Sequence, residues 1–484
     1  MLKDLLKEGG LYTIANLLTK GVSLMLIPFY TSYFTPLDYG ILDMLTVFGV
    51  FFNAIVSLQL SQGLGRYVGD STVPNDDKKK YASTAILFTS LLYLVFVIGV
   101  SIKSEIFINF ISSDILIEQN IFLLALISIM INGIFYNLGV YIRFLRLTKV
   151  FSVTSFIHAI GNIVLTLVFV LVYDTGILGI FYASIIVAPL IIIFQLFFLR
   201  GKLFLYIGKS ELKKLIKYST PLIPAALAYA LLNFTDRIFI NEYISTESVG
   251  IYGIGAKFAS VVALILTGFS MALNPIILHN HNNQESNNEF SKIFKLFIVL
   301  GSLGVLVLSF FSKETLIIFT QKSYYDAYLV MPILYFTLFL TGLWMFSPGL
   351  VIKKKTITIG GIVLGSSLLN ILLNYILIQR FNIVGTAIAT LISVLMNNVL
   401  LFYFSNKYYE VKFPKLKVLF LGLIFSVFLY VGSYLIDYYS VDRLNIVILK
   451  ILLLIVYVFV IIKINIIDKM YIQKLKQMIG YEKK

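Results

Sequence analysis

The sequence has no cysteine and only three histidines, and these shortages exclude several kinds of chemistry. Without cysteine there is no disulfide, no thiol nucleophile and no cysteine-ligated metal. The three histidines, His158, His279 and His281, argue against a histidine metal cluster. Charged residues make up only 13% of the 484 residues, too few to cover a soluble globule of this size. We therefore expect a membrane protein with no bound metal or cofactor.

Nucleotide-hydrolysing and catalytic signatures are missing as well. There is no phosphate-binding loop of the form G-x-x-x-x-G-K followed by Ser or Thr, and no segment between apolar runs is long enough for a nucleotide-binding domain. An enzyme acting within the membrane would need converging acids, bases or metal ligands, but the apolar runs contain only Asp43 and Asp236 as carboxylates. We expect the protein not to be an enzyme.

Long apolar runs dominate the sequence, with 59% hydrophobic residues and a mean hydropathy of +0.92. Runs of about 20 residues can cross a bilayer as helices. The pattern predicts an all-α polytopic membrane protein with about 14 transmembrane helices. The predicted spans are 10–32, 39–62, 82–102, 119–142, 151–173, 176–199, 217–241, 248–275, 292–311, 327–350, 355–378, 383–405, 416–436 and 444–463.

The net charge of +15 is distributed in the way that membrane topology requires. If the N-terminus is cytoplasmic, 30 Lys and Arg residues fall on that side of the membrane and five on the other. Such an asymmetry follows the positive-inside rule and places both termini in the cytoplasm. The basic residues lie in short segments between apolar runs, so nucleic acid is not an expected partner.

The two halves of the chain resemble each other weakly. A shift of 210 residues places YFTPLDYGILD (Tyr33–Asp43) on YISTESVGIYG (Tyr243–Gly253) and pairs Gly40 with Gly250. A shift of 206 residues pairs Gly179 with Gly385. Matching turns at matching places indicate an internal repeat.

The repeat predicts four parts of the chain. Residues 1–208 and 209–410 would form two six-helix lobes, related by a pseudo-twofold axis along the membrane normal because six spans per lobe is an even number. Residues 411–463 would add two helices, and 464–484 an amphipathic cytoplasmic tail. The basic and apolar segment Arg200–Lys217, which joins the lobes, is expected to lie along the membrane interface on anionic headgroups.

The stretch Tyr218–Glu242 carries the most functional information. It is long enough to span a bilayer, but it contains Pro221 and Pro224 near one end and the pair Asp236–Arg237 near the other. Prolines and charges at membrane depth are tolerated where they face a wet cavity or neighbouring helices. The alternative is that the charged pair lies at headgroup depth and Arg237 snorkels.

Other cations lie in or near predicted spans. Lys20 and Lys257 fall well inside the hydrocarbon region, and Arg66 follows the second span at its inner end. Together with Arg237 they could line a cavity that binds an anion such as a phosphate or pyrophosphate, while Asp43 and Asp236 balance the charge or bind a coupling ion. The structural alternative for these cations is an ion pair or a snorkelling side chain. Lys450, seven residues into the last span, is expected to snorkel.

Four stretches of the chain resemble the bacterial polysaccharide flippases, which belong to the multidrug/oligosaccharidyl-lipid/polysaccharide exporter superfamily. They are PFYTSYFTPLDYGILDML (Pro28–Leu45), STPLIPAALAYALLNFTDRIFI, GIYGIGAKFASVVALILTGFSMALNPII (Gly250–Ile277) and GTAIATLISVLMNNVL (Gly385–Leu400). The resemblance implies fourteen helices, with two six-helix lobes around a V-shaped cavity. It also implies transfer of undecaprenyl-pyrophosphate-linked oligosaccharide, as in O-antigen assembly, across the bacterial inner membrane. Lys20, Arg237 and Lys257 occupy spans suited to the cavity cations of that family.

Two other functions compete with this one. A cation-coupled multidrug exporter of the same superfamily would want carboxylates deep in its cavity, whereas Asp43 and Asp236 both lie near the outer side. A membrane enzyme of glycan assembly would be expected to carry a large outward loop, which the sequence lacks. For the flippase, membrane lipids are expected partners, and a glycan polymerase and other assembly proteins are plausible ones.

Overall fold

The computed structural model describes residues 21, 24–111, 117–280, 284–353, 355–409, 415–435 and 443–464. Its regular elements in these ranges are helices, of which we number the 18 α-helices in chain order. They are α1 (Ile27–Tyr33), α2 (Pro36–Val56), α3 (Leu60–Gly69), α4 (Asn75–Ile102), α5 (Ser104–Ile111), α6 (Gln119–Phe144), α7 (Thr148–Leu171), α8 (Leu178–Phe198), α9 (Lys209–Ser219), α10 (Ile223–Tyr243), α11 (Thr246–Asn280), α12 (Gln284–Phe310), α13 (Ser312–Phe319), α14 (Met331–Thr341), α15 (Gly349–Ile352), α16 (Thr356–Asn406), α17 (Lys415–Tyr430) and α18 (Arg443–Ile464).

Most of the predicted spans coincide with these helices. In the described part of the chain, ten helices are long and apolar enough to cross a membrane, and the bent pair Lys322–Leu329 with Met331–Phe346 makes up to eleven. The predicted first span lies largely outside the described residues, and the thirteenth is the shorter apolar helix Leu421–Leu435. The structure confirms an all-α polytopic membrane protein, but it does not confirm the count of fourteen.

Helix α16 contains two predicted spans in one element. At 51 residues a straight helix would be roughly 75 Å long, far more than a bilayer core. Asn382 breaks it, with φ 47° and ψ −136°. Beyond the break, a Cβ on Gly385 would lie 2.3 Å from the Leu377 carbonyl oxygen, so the chain turns back too closely for any side chain there. The predicted boundary between residues 378 and 383 therefore falls on this turn.

Contacts divide the chain into two compact units. The first takes in residues up to 254 together with 363–386, and the second takes in 255–362 with the residues from 387 onward. The core of the first unit packs α3, α4, α6 and α9 around buried side chains such as Leu64, Tyr81, Tyr141 and Leu215. A smaller core in the second unit contains Leu350, Ile362 and Leu401. The predicted lobes at 1–208 and 209–410 stay a prediction.

Helices α2 and α11 begin in the same way. Thr35 caps α2: its hydroxyl accepts the Asp38 N–H at 3.2 Å, and the Asp38 carboxylate accepts the Thr35 N–H at 2.9 Å. Ahead of α11, the Ser245 hydroxyl accepts the Ser248 N–H at 3.1 Å. Ser245 and Ser248 lie 210 residues after Thr35 and Asp38, which is the shift that the sequence repeat predicts.

The first turns of these two helices cross in backbone contact within the first unit. A Cβ on Gly40 would lie 1.9 Å from the Thr246 carbonyl oxygen, and a Cβ on Gly250 would lie 1.8 Å from the Pro36 carbonyl oxygen. Thr246 is the repeat partner of Pro36, and Gly250 that of Gly40. The contact is therefore reciprocal, as contacts across a twofold axis are. Only glycine permits so close an approach.

Candidate functional site

A buried ion cluster lies beside this glycine crossing. Arg237 on α10 donates from Nη1 to both carboxylate oxygens of Asp236, at 2.9 and 2.8 Å. Its Nε donates to Oδ2 of Asp43 on α2, at 3.3 Å. Tyr252 on α11 donates its hydroxyl to Oδ2 of Asp236 at 2.6 Å, and its ring centroid lies 5.0 Å from Arg237 Cζ. We call these four residues the Arg237 cluster.

Local sequence places each member of the cluster. Asp43 follows Pro36 by seven residues and so lies two turns along α2 on the same face. Opposite it on α11 stands Gly253, where a Cβ would lie only 2.9 Å from Asp43 Oδ2. Asp236 and Arg237 are adjacent on α10, and Arg237 Nη1 also donates to the Asn233 carbonyl at 3.3 Å. Three helices thus converge on one guanidinium.

Two carboxylates of the cluster share one guanidinium, and the Asp236 side chain is only 4% exposed. Buried ion pairs rarely add net stability, because desolvation offsets the Coulomb attraction, but breaking one leaves an uncompensated charge. In this conformation Arg237 is neutralised by its neighbours. Arg237 thus forms the ion pair that the sequence left open as the structural alternative to binding an anion.

The other predicted site residues are not among the four members of this cluster. Arg66, at the end of α3, is 56% exposed and pairs with Asp70 at 3.2 Å. Lys257, on α11, is partly buried, and its carbonyl accepts the Ser260 hydroxyl at 2.6 Å. Lys20 lies outside the described residues. The structure therefore brings together Asp43, Asp236 and Arg237, and the substrate-binding role of each cation stays a prediction.

Polar residues that the sequence did not single out lie in the same unit as the cluster. Tyr252 hydrogen-bonds Thr386 as well as Asp236. On α16, Asn370 and Asn374 are fully buried, and Asn374 Nδ2 donates to the Asn370 carbonyl at 2.9 Å. Their signal in the sequence is a pair of amides one turn apart in an apolar run. Among the described residues, no group of three or more acidic, His or Cys side chains could hold a metal ion.

A second buried ion pair lies in the other unit. Lys450 on α18 was expected to snorkel, but its side chain is 0% exposed. Its Nζ lies 2.8 and 3.2 Å from the two carboxylate oxygens of Glu314 on α13, whose side chain is 29% exposed. Lys450 does not snorkel, because a carboxylate on a neighbouring helix removes the need for its ammonium to reach water.

Comparison with family models gives two matches. Residues 5–281 match the model of the polysaccharide biosynthesis protein family, which is more than half of the chain. Residues 221–376 match the MatE family model. A search of curated proteins found no match.

Several solved structures share the fold. The lipid II flippase MurJ in an inward closed conformation is 19% identical, with a TM-score of 0.71, and the match covers 94% of this chain and 98% of that one. An inward-facing multidrug resistance MATE transporter is 13% identical, with a TM-score of 0.65 over 81% and 98%. A mutant of the Vibrio cholerae MATE transporter VcmN is 14% identical, with a TM-score of 0.52 over 84% and 95%. At these identities the likeness shows the fold.

Proposed function

Because the chain belongs to the polysaccharide biosynthesis protein family, we propose that it is a flippase for a lipid-linked oligosaccharide. The substrate would be an undecaprenyl-pyrophosphate-linked oligosaccharide, moved from the cytoplasmic to the outer leaflet of the bacterial inner membrane for surface polysaccharide assembly, as for an O-antigen. The similarity of fold to a lipid II flippase supports this proposal. A glycan polymerase and other assembly proteins are its expected neighbours.

The Arg237 cluster is the observation that carries the proposal. An exporter of cationic drugs needs carboxylates that are free to bind a cation. Here Asp43 and Asp236 accept hydrogen bonds from Arg237, and Asp236 accepts a further one from Tyr252. The negative charges of both carboxylates are therefore already paired with the guanidinium of Arg237. An anionic headgroup would be held by cations elsewhere, and Lys20, Arg66 and Lys257 are our candidates for the pyrophosphate or an acidic sugar.

The glycine crossing suggests how access could alternate. With the predicted orientation, α2 and α11 begin on the outer side, so their contact would close that side. Outward opening would separate α2 from α11 and break the Arg237–Asp43 contact. That contact is the longer one, at 3.3 Å, whereas Arg237 and Asp236 stay together on α10 at 2.8 Å. Opening would therefore release one guanidinium edge, which could then contact the substrate's anionic headgroup.

The test of this function measures the leaflet in which the oligosaccharide resides. Depleting the protein in its native cell should trap completed lipid-linked oligosaccharide on the cytoplasmic leaflet, as detected with a membrane-impermeant probe. Complementation with the wild-type chain should restore export. Lys257→Gln should restore less, and the matched control Lys463→Gln, on the distant end of α18, should restore it fully. Normal leaflet distribution after depletion would contradict the proposal.

A multidrug exporter is the second candidate, and the match of residues 221–376 to the MatE model is the observation that favours it. The same depletion would then leave the oligosaccharide pool unchanged and raise sensitivity to cationic drugs. In that case Asp43→Asn and Asp236→Asn would remove the resistance. Drug resistance that persists in both variants, with the protein inserted, would leave the flippase as the better description.

A further inference from the structure

The connection between α8 and α9, residues 200–208, is held firmly against the first unit. The backbone N–H of Phe204 donates to Ser83 Oγ at 3.2 Å, and that of Gly208 donates to Thr84 Oγ1 at 3.1 Å. Tyr141 donates its hydroxyl to the Lys202 carbonyl at 3.0 Å. The segment thus has a fixed position, and the side chains that it displays outward are part of a built surface.

That segment displays an apolar tip. Leu205 is 94% exposed, and Phe204 and Ile207 are also exposed. The tip follows directly on exposed Phe197 and Phe198 at the end of α8, which belongs to the apolar surface of a membrane-spanning helix. Large apolar side chains grouped in this way are unfavourable in water and typical of a membrane or partner contact.

Basic residues lie on both sides of the tip in the sequence. The guanidinium of Arg200 lies 4.6 Å from the centroid of the Phe197 ring. Helix α9 buries Leu215 and Ser219 against the bundle and carries four exposed lysines, of which Lys214 lies 5.8 Å from the centroid of the Tyr81 ring. They are Lys209, Lys213, Lys214 and Lys217. The acidic residue of α9, Glu211, accepts hydrogen bonds from Ser210 and Tyr206, at 2.9 and 3.5 Å. The surface around the tip therefore carries a strong positive charge.

We propose that residues 200–208 and α9 form a docking surface for an acidic phospholipid of the membrane. The apolar tip would lie among the acyl chains, and Arg200, Lys209 and Lys213 would hold the phosphate and the acidic headgroup. Interfacial helices use this division between an apolar contact and basic side chains. Nucleic acid or an acidic protein would satisfy the charges but leave Leu205 in water. This surface is separate from the Arg237 cluster and does not depend on the transport proposal.

A tryptophan reporter can test which lipid surrounds the tip. The chain has one tryptophan, Trp344, so Trp344→Phe combined with Leu205→Trp gives a single fluorophore there. The purified full chain is reconstituted in vesicles of phosphatidylglycerol and phosphatidylcholine, and only the identity of the brominated, quenching lipid is changed. We expect brominated phosphatidylglycerol to quench roughly fivefold more per mole than brominated phosphatidylcholine, about the effect of one basic residue near an acidic surface. High salt should reduce this ratio.

Two controls make the result specific. A reporter at Ile193, exposed on the apolar part of α8, should be quenched equally by both lipids. Lys209→Gln with Lys213→Gln should lower the Leu205→Trp ratio, and adding Arg200→Gln should bring it close to one. Phe204→Trp serves as the reporter if Leu205→Trp does not purify. Equal quenching by both lipids at the tip would overturn the proposal. Absence of quenching by either would also overturn it, since the tip would then face water or a protein partner.

Discussion

The Arg237 cluster and the buried Lys450–Glu314 pair are built differently. The Arg237 cluster joins α2, α10 and α11 through a guanidinium with two carboxylates, beside a crossing of two repeat-related helices. The Lys450–Glu314 pair joins α13 to α18 through one ammonium that has no exposed surface and one carboxylate that reaches the outside. The first has two carboxylates on one guanidinium and a longer contact, of 3.3 Å, between helices. The second is a single compact pair.

The difference suggests different roles. Buried ion pairs are weak contributors to stability, so each needs another reason to exist. A guanidinium presents several donors and can exchange partners one at a time, which suits a contact that must break during a transport cycle. A buried ammonium with one close carboxylate cannot be separated from it without a large penalty. We interpret the Lys450 pair as a fixed anchor for α18.

The largest expected effect on stability comes from replacing the base of the Arg237 cluster rather than one of its acids. Arg237→Gln removes the guanidinium that both Asp43 and Asp236 contact, and it should lower the free energy of unfolding by about 3 to 5 kcal/mol. Asp43→Asn leaves the closer Arg237–Asp236 contact intact and should cost less than half of that. Thermal unfolding of the purified proteins at neutral pH measures both. Equal losses in the two variants would contradict the idea that the closer Arg237–Asp236 contact carries most of the cost.

For the Lys450–Glu314 pair we expect the larger loss of stability when the acid, rather than the base, is replaced. Glu314→Gln leaves the fully buried ammonium of Lys450 without its carboxylate and should cost about 2 to 4 kcal/mol, near the range for breaking a buried pair. Lys450→Met leaves Glu314, which water already reaches, and should cost about 1 kcal/mol at most.

The double variant completes this experiment. Lys450→Met with Glu314→Gln should recover most of the loss, because replacing a buried pair by packed neutral side chains is close to neutral. Melting temperatures of the four proteins give the coupling energy directly. If the double variant is no more stable than Glu314→Gln, the charge is not the cause of the loss.

The glycine crossing beside the Arg237 cluster should respond to a single methyl group. Gly250→Ala places a Cβ against the Pro36 carbonyl, so the helices must move apart, at an expected cost of about 1 to 3 kcal/mol. Gly268→Ala, on the same helix α11, meets no atom within 4 Å and should stabilise by a few tenths to about 1 kcal/mol through helix propensity. Melting temperatures that shift in the same direction in both variants would show that the close approach is unimportant.

The sequence predicted most of the membrane spans, but it did not predict the contacts of the Arg237 cluster. Apolar length placed most helices, and the repeat aligned the starts of α2 and α11 and Gly40 with Gly250, although it did not predict that the two helices touch. These signals are local or periodic. Whether Arg237 binds substrate or pairs internally depends on where α2 lies relative to α10, a contact between residues 194 positions apart that periodicity does not encode. Tyr252, one of 31 tyrosines, carries no signal of its own.

Lys450 is a second residue whose partner the sequence could not predict. Its position seven residues into an apolar run is what a snorkelling lysine shows, and the run itself says nothing of α13. Glu314 lies in a segment that the sequence placed outside the membrane. Its carboxylate reaches Lys450 only because α13 packs beside the end of α12, across a separation of 136 residues. Long-range pairs of this kind require the fold to be known first.

The smallest expected effect concerns the exposed pair at the end of α3. Hydrogen bonds from the Thr72 hydroxyl and N–H, at 2.7 and 2.9 Å, lower the pKa of Asp70, with a lesser contribution from Arg66. A lowered pKa contributes stability above the ordinary value of about 3.9 and loses it as the pH falls through the lowered value. Asp70→Asn should therefore melt slightly below wild type at neutral pH, and the two melting curves should converge in acid. In contrast to the variants of the buried clusters, the difference should shrink with added salt, because both partners face water.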